Sequence, residues 1–164
     1  MESDAGAIPL DATDLRILDQ LQRDASLSNQ ELAAAAYTSP ATCLRRVRRL
    51  VEGGVIERRV ALLSPQRVGA GLGVIAEVTL DRQGAEHLAA FEARAVAEPA
   101  VTQCHRVSPG PDFVLWLQVA DMAAWSALVD RLFTQDANVR NVKSFFSVRR
   151  AKFETALPLP LPLP

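Results

Sequence analysis

Two helix-start signals only eleven residues apart constrain the fold of this chain more than any other feature. Ser28-Asn29-Gln30-Glu31 has the Ser-x-x-Glu spacing of a capping box, in which both side chains accept hydrogen bonds from backbone N–H groups at a helix start. Ser39-Pro40 supplies the second start, an N-cap serine followed by a proline at the first helical position. The first of these helices is therefore short, ends near Ala36, and is followed by a break at Tyr37-Thr38. Two helices joined by so tight a turn form the helix-turn-helix pattern.

The helix that begins after Ser39 and stops at Gly53-Gly54 is predicted to have two chemically different faces. At about 100° per residue, its apolar side chains gather within an arc of about 120° and its arginines fill the opposite side. The apolar set is Leu44, Val47, Leu50 and Val51, with Cys43 beside it, and the opposite set is Ala41, Thr42, Arg45, Arg46, Arg48 and Arg49. An arginine can donate two hydrogen bonds to guanine in the major groove, and small residues allow close approach to the bases.

Positive charge is concentrated in this segment, although the whole chain has a net charge of −1. Residues 42–59 hold six arginines against two glutamates, whereas residues 1–37 hold two arginines against seven acidic residues. The distribution of charge indicates nucleic-acid binding better than its sum does. A solvated basic face is the alternative, and Arg58 and Arg59 could either follow the DNA backbone or serve solubility. We predict binding of double-stranded DNA through Ser39, Ala41, Thr42, Arg45, Arg46, Arg48 and Arg49.

A second domain is predicted after a hinge at Gly69-Ala70-Gly71. Its pattern is strand 72–80, helix 84–97, strand 101–108, strand 112–120, helix 121–135 and strand 139–149. This βαββαβ order is the ferredoxin-like arrangement, a four-stranded antiparallel sheet with both helices on one face, so the fold class is α+β. Residues 113–117 are apolar on both sides, which predicts that the second face of the sheet is buried by self-association.

The predicted organisation has five parts: a flexible tail 1–9, a helix-turn-helix domain 10–54 whose first helix is capped by Asp11, a linker strand and hinge 55–71, a ferredoxin-like oligomerisation domain 72–155, and a Leu-Pro tail 156–164 that is polyproline II or disordered. No apolar run approaches the 18–20 residues of a membrane span, and the N-terminus lacks the layout of a secretory signal. We therefore expect a cytoplasmic protein with reduced thiols at Cys43 and Cys104.

Several of these segments resemble the leucine-responsive regulator (Lrp/AsnC) family. The resemblance runs in the family's order from about residue 10 to 156. It is carried by Leu10-Asp11-x-x-Asp14, Ile17-Leu18-x-x-Leu21-Gln22-x-Asp24, Leu27-Ser28-Asn29-x-Glu31-Leu32-Ala33, Ser39-Pro40-x-x-Cys43-Leu44-x-Arg46-Val47-Arg48-Arg49-Leu50, Gly54-Val55-Ile56, Cys104-His105-x-Val107-Ser108 and Val119-x-Asp121-Met122. The resemblance implies a bacterial regulator with a winged helix-turn-helix and a ferredoxin-like domain that forms dimers, which often assemble into octamers. It also implies that the domain 72–155 is ligand-sensing, with an amino-acid effector bound between dimers.

The stretch that matches the family's sensing loop departs from its usual pattern. The family has Gly-x-x-Asp-Tyr between the second and third strands, and this chain has Ser108-Pro109-Gly110-Pro111-Asp112-Phe113. The resemblance implies effector contacts at Ser108, Gly110, Asp112 and Phe113, with the Asp112 carboxylate holding an amino group. The two prolines stiffen the loop and offer no N–H to a carboxylate. An aspartate that caps the turn before the third strand is the alternative.

The predicted function is a sequence-specific DNA-binding regulator modulated by a small effector, not an enzyme. Two alternatives remain, since some Lrp-like proteins are tetrapyrrole decarboxylases and an amino-acid-binding assembly protein could lack DNA contact. Cys104 and His105 are strand neighbours and point to opposite faces, so they do not suggest a shared metal site. We predict no catalytic residue, no metal and no cofactor.

Overall fold

The computed structural model describes residues 8–161, and these form two compact units. One unit contains the described residues up to Ala61 together with those from Lys152 onward, and the other spans Leu62–Ala151. Residues 152–155, which the sequence assigns to the second domain, group with the first unit. Most of the predicted flexible tail 1–9 and the last three residues of the Leu-Pro tail lie outside the described residues. In the described part of the chain, no helix is long and apolar enough to cross a membrane.

Three helices form the first unit: α1 Ala12–Arg23, α2 Asn29–Ala35 and α3 Pro40–Glu52. Each begins at a predicted cap. The Asp11 carboxylate accepts hydrogen bonds from the N–H groups of Thr13 and Asp14, and both capping-box bonds are present at Ser28. At α3 the Ser39 hydroxyl oxygen accepts from the N–H of Thr42. Local side-chain chemistry therefore sets where all three helices start.

The core of the first unit corrects the predicted apolar face of α3. Cys43 and Leu50 are fully buried, whereas Leu44 and Val51 are 52% and 48% exposed. Cys43 and Leu50 are two turns apart and lie in line, so the helices behind α3 contact that line, with Leu44 and Val51 at its edge. The buried apolar residues of this unit are Ile17, Leu21, Leu32, Ala33, Ala36, Cys43 and Leu50.

The chain after α3 differs from the predicted linker strand. Residues 57–64 have no regular secondary structure, and residues 65–69 form a turn that ends at Gly69, with φ of +78°. At the other end of the chain, the Leu-Pro segment contacts α1. The backbone N–H of Leu157 donates to Gln22 Oε1 at 2.8 Å, and Gln22 Nε2 donates to the Leu157 carbonyl at 3.0 Å. The described part of this tail is thus held on the first unit.

The second unit has the predicted βαββαβ order. Its elements are β1 Leu72–Leu80, α4 Ala85–Ala97, β2 Val101–Arg106, β3 Phe113–Val119, α5 Met122–Val129 with a π-helical turn Asp130–Thr134, and β4 Val139–Phe146. The strands form one antiparallel sheet in the order β2-β3-β1-β4. The predicted α+β, ferredoxin-like fold is confirmed.

The sheet presents two different faces because side chains alternate along each strand. One face packs against α4 and α5 and forms a closed core that includes Val74, Leu115, Phe91 and Leu128. The opposite face, which we call the helix-free face, carries Ile75 between its β-partners Trp116 and Phe145. One row further along, Glu77 of β1 lies opposite Lys143 of β4 and Val114 of β3. The helix-free face therefore joins an apolar row to a charged one.

Candidate functional site

The exposed side of α3 carries a stripe of small and basic residues. Ala41, Arg45 and Arg48 recur at four- and three-residue steps, so they lie on one side of the helix, and all three are exposed. At the N-terminal end of the stripe, the hydroxyls of Ser39 and Thr42 are 3.0 Å apart. In the described part of the chain, the guanidinium groups of Arg45 and Arg48 form no hydrogen bond or ion pair. We call Ser39, Ala41, Thr42, Arg45 and Arg48 the reading stripe.

Two of the predicted DNA-binding arginines are instead engaged with α1. Arg46 Nη1 lies 2.7 Å from Asp11 Oδ2 and 2.9 Å from Asp14 Oδ1, and Arg49 Nη2 contacts Asp14 Oδ2 at 2.5 Å. The Asp14 side chain is only 1% exposed. The helical wheel places both arginines opposite the apolar arc, but they lie on the flank of α3 that faces the start of α1. These ion pairs favour a role for Arg46 and Arg49 in positioning α3, while their place among the DNA-binding residues stays a prediction.

The ion pair between Asp11 and Arg46 keeps both of its charges near neutral pH. Hydrogen bonds from the Asp14 N–H and from the Arg46 guanidinium lower the pKa of Asp11 from 3.8 to about 2. The same carboxylates raise the pKa of Arg46 above its already high value. Both groups stay charged at neutral pH, so the pair of Asp11 and Arg46 has no protonation step there. We call the cluster of Asp11, Asp14, Arg46 and Arg49 the acidic clamp. A cleft of about 110 Å³ beside it is lined by Asp11, Arg45, Arg46 and Arg49.

Asp112 of the predicted sensing loop has a structural role. Its Oδ2 accepts a hydrogen bond from the N–H of Leu80 at 2.7 Å, and its own N–H donates to the Val78 carbonyl at 2.9 Å. Its carbonyl accepts from the N–H of Val107. The carboxylate therefore caps the end of β1 where β3 begins, as in the turn-capping alternative. An effector would have to compete with a backbone amide for this group.

The other three predicted effector residues separate into two groups. Phe113 is fully buried in the helix-packed core, with its ring centroid 4.9 Å from that of Phe91. Its side chain lies on the opposite side of the sheet from the helix-free face, and its place among the effector residues stays a prediction. Ser108 and Gly110 are exposed, and Gly110 has a φ of +125°, a conformation that favours glycine.

Gly110 borders a cavity of about 240 Å³ on the second unit. Its lining is polar apart from one proline and consists of Glu77, Thr79, Gly110, Pro111, Asn141 and Lys143. Glu77 and Lys143 are direct neighbours across β1 and β4, and within residues 8–161 they form no ion pair with each other. The sequence alone does not reveal Glu77, Thr79, Asn141 and Lys143 as site residues, because the β1–β4 pairing joins segments more than sixty positions apart. Their outward position in each strand was the only available signal.

The comparison with family models divides the chain in the same way as its secondary structure. Residues 10–57 match the winged helix-turn-helix DNA-binding model, and residues 73–157 match the Lrp/AsnC ligand-binding domain model. A helix-turn-helix domain with exposed arginines, followed by a ligand-binding domain, is the architecture of DNA-binding regulators that carry a sensing domain.

Relatives with known names extend the match over nearly the full chain. A leucine-responsive regulatory protein of Haemophilus influenzae is 36% identical over 87% of this chain and 86% of its own length. The Bkd operon transcriptional regulator of Pseudomonas aeruginosa is 35% identical over 92% and 98%. The chain belongs to the Lrp/AsnC family of transcription regulators, which confirms the sequence-based resemblance.

Two solved structures share the fold at similar identity. A transcriptional regulator of Neisseria meningitidis in complex with L-methionine has a TM-score of 0.87 and 33% identity, covering 93% of this chain and 98% of that one. An AsnC family transcriptional regulator of Agrobacterium tumefaciens has a TM-score of 0.86 and 34% identity, covering 91% and 97%.

Proposed function

We propose that this protein is a sequence-specific transcription regulator that reads double-stranded DNA with the reading stripe of α3. The observation that carries the proposal is the contrast between the arginines of one helix. Arg46 and Arg49 are neutralised by buried or capping carboxylates, whereas Arg45 and Arg48 face solvent. A free guanidinium beside small residues at a helix start suits bidentate contact with guanine in the major groove. The N-terminus of α3 also favours a nearby phosphate.

A dimer is the expected form of the regulator. The helix-free face exposes Trp116 and Phe145 on either side of Ile75, and a second copy packed on this apolar row would remove it from water. A two-fold dimer presents two copies of α3, and such pairs bind half-sites about one helical turn apart. We extend the proposal to an octamer of such dimers, which the family resemblance supports.

Selection of duplexes from a random pool by the full-length protein tests the DNA-binding proposal. We expect enrichment of a pseudo-palindromic sequence with half-sites about 10 base pairs apart or at a multiple of that spacing. Binding should weaken as salt rises, because phosphate contacts release counterions. A purified, folded protein that enriches no sequence, or that binds every duplex equally, would contradict the proposal.

The effector proposed for this regulator is a small polar amino acid, bound in the cavity beside Gly110. The Glu77 carboxylate can pair with the α-amino group and the Lys143 ammonium with the α-carboxylate. Thr79 and Asn141 add a hydroxyl and an amide, while Pro111 is the one apolar side chain of the lining. This lining favours a polar side chain over a leucine-like one. Modulation of assembly or DNA binding requires that the effector bind one state more tightly than another.

A thermal-shift screen of the twenty amino acids tests this site. A ligand at a hundred times its dissociation constant adds about 2.7 kcal/mol to the stability of the folded state, a shift that is readily measured. We expect Lys143→Met and Glu77→Gln each to abolish the shift while the selected duplex is still bound. Lys152→Met removes an exposed lysine outside the cavity and serves as the matched control. An undiminished shift in both cavity variants would remove this cavity from effector binding.

A further inference from the structure

The turn between α2 and α3 contains a backbone conformation that its residue disfavours. Tyr37 has a φ of +54°, and among residues 8–161 it is the one non-glycine residue with a positive φ. A side chain with a Cβ is strained there, whereas glycine adopts the same conformation without steric conflict. Such outliers persist where the surroundings enforce them, and they are concentrated at functional sites. We therefore looked to the side chain of Tyr37 for an interaction that explains why tyrosine, and not glycine, occupies this position.

Core packing does not supply that reason. Tyr37 is 84% exposed, so its ring contributes little to the buried core of the first unit. Its ring has a contact with Arg16 of α1, whose guanidinium carbon lies 5.9 Å from the ring centroid. A cation–π contact at an exposed site stabilises the fold weakly. The strain at Tyr37 is not offset by burial.

Arg16 instead holds the turn and the ring in a defined position. Its Nε donates to the Ala36 carbonyl at 3.2 Å, and its Nη2 donates to the Thr13 hydroxyl at 3.0 Å. The guanidinium thus bonds the backbone next to Tyr37 and also lies over the ring. The Tyr37 phenol is therefore exposed, the backbone beside it is held by Arg16, and the positive charge of Arg16 lies next to its ring.

The position of this phenol points to its target. Tyr37 stands two residues before the α3 N-cap, Ser39, and the N-terminal end of the second helix in this motif enters the major groove. The DNA backbone borders that groove, and tyrosine hydroxyls are among the groups that bond phosphate oxygens. We propose that the Tyr37 hydroxyl donates a hydrogen bond to a backbone phosphate beside the groove that α3 enters. This inference rests on the proposed DNA-binding function and adds a contact outside the reading stripe.

A matched pair of variants tests the proposal with the full chain and the selected duplex. Tyr37→Phe keeps the ring and the strained backbone and removes only the hydroxyl. Loss of a hydrogen bond to a charged group lowers affinity about tenfold, which corresponds to about 1.4 kcal/mol. We expect that loss on selected and scrambled duplexes alike, since a phosphate contact carries no sequence information, with an unchanged melting temperature.

Tyr37→Gly provides the second measurement. We expect it to bind DNA as weakly as Tyr37→Phe, with a melting temperature equal to or above that of Tyr37→Phe, because glycine relieves the positive-φ strain. Both variants binding within twofold of the parent would overturn the proposal. So would a changed assembly size at unchanged DNA affinity, which would assign Tyr37 to a contact between subunits. If Arg45→Ala weakens DNA binding while the Tyr37 variants do not, only the Tyr37 phosphate contact is contradicted. If the parent protein selects no DNA sequence, both this contact and the proposed DNA-binding function are contradicted.

Discussion

Replacing Arg45 with alanine is expected to reduce discrimination between the selected duplex and a mismatched one by about 1–3 kcal/mol. The Arg45 guanidinium is exposed, lies one turn from Ala41, and has no carboxylate partner in the described part of the chain. Its removal therefore takes away the proposed DNA contact without breaking a hydrogen bond or ion pair within the described part of the chain. The melting temperature should stay that of the parent, because surface substitutions of this kind change stability little.

Arg45→Lys separates base reading from simple charge attraction. Lysine keeps the positive charge but lacks the planar fork that matches guanine O6 and N7. We expect Arg45→Lys to retain much of the non-specific affinity and its salt dependence, and to lose discrimination as Arg45→Ala does. The measurement is fluorescence anisotropy with matched and mismatched duplexes at several salt concentrations. Parent-like discrimination in both variants would show that Arg45 does not read a base.

Replacing Asp14 with asparagine is expected to destabilise the first unit by about 3 kcal/mol, the magnitude typical of breaking a buried ion pair. Asp14 is the buried carboxylate of the acidic clamp, and it contacts both Arg46 and Arg49. Asparagine keeps the shape and can still accept the hydrogen bond from the Asp11 N–H. It removes the charge that two guanidinium groups require. The midpoint of urea unfolding should fall by about 1–3 M, because m is about 1–3 kcal/mol/M for small domains.

Two spectroscopic signals distinguish the units in that experiment. Both tryptophans, Trp116 and Trp125, lie in the second unit, so their fluorescence follows its unfolding while circular dichroism also follows α1–α3. We expect the part of the circular dichroism change that comes from α1–α3 to shift to lower urea concentration, and the fluorescence transition to keep its midpoint. Glu52→Gln is the matched control, because it also neutralises a carboxylate of the first unit, and Glu52 is exposed and forms no ion pair within residues 8–161. Equal midpoints for the two variants would refute the role assigned to the clamp.

For α3, the sequence decided where the helix begins, and the tertiary structure decided which of its arginines are paired with carboxylates. The start of α3 at Ser39-Pro40 was predictable because a cap is a contact between residues three positions apart. The wheel also placed Arg45 and Arg48 away from the core. It did not distinguish them from Arg46 and Arg49, because the two carboxylates that engage those arginines belong to α1, more than thirty positions earlier.

The candidate effector site also depends partly on a local sequence pattern and partly on the pairing of distant strands. Alternation along β3 predicts which residues share a face, and Phe113 follows the buried set with Leu115 and Leu117. The family resemblance alone placed Phe113 at the ligand, whereas strand parity directs it into the core. The cavity of Glu77, Thr79, Asn141 and Lys143 depends on the register between β1 and β4, which no local pattern encodes.

The sequence by itself determined the helix caps, the βαββαβ succession of elements along the chain, the two-part architecture and the family, since each depends on contacts or patterns local to the chain. Tertiary structure decided which arginines of α3 are free of carboxylate partners and which backbone amide the Asp112 carboxylate accepts from. It also decided that Glu77 and Lys143 lie side by side on the sheet. The physical reason is range. A cap or an amphipathic pattern is formed within a few residues, whereas an ion pair or a sheet register joins distant segments only after the chain has folded.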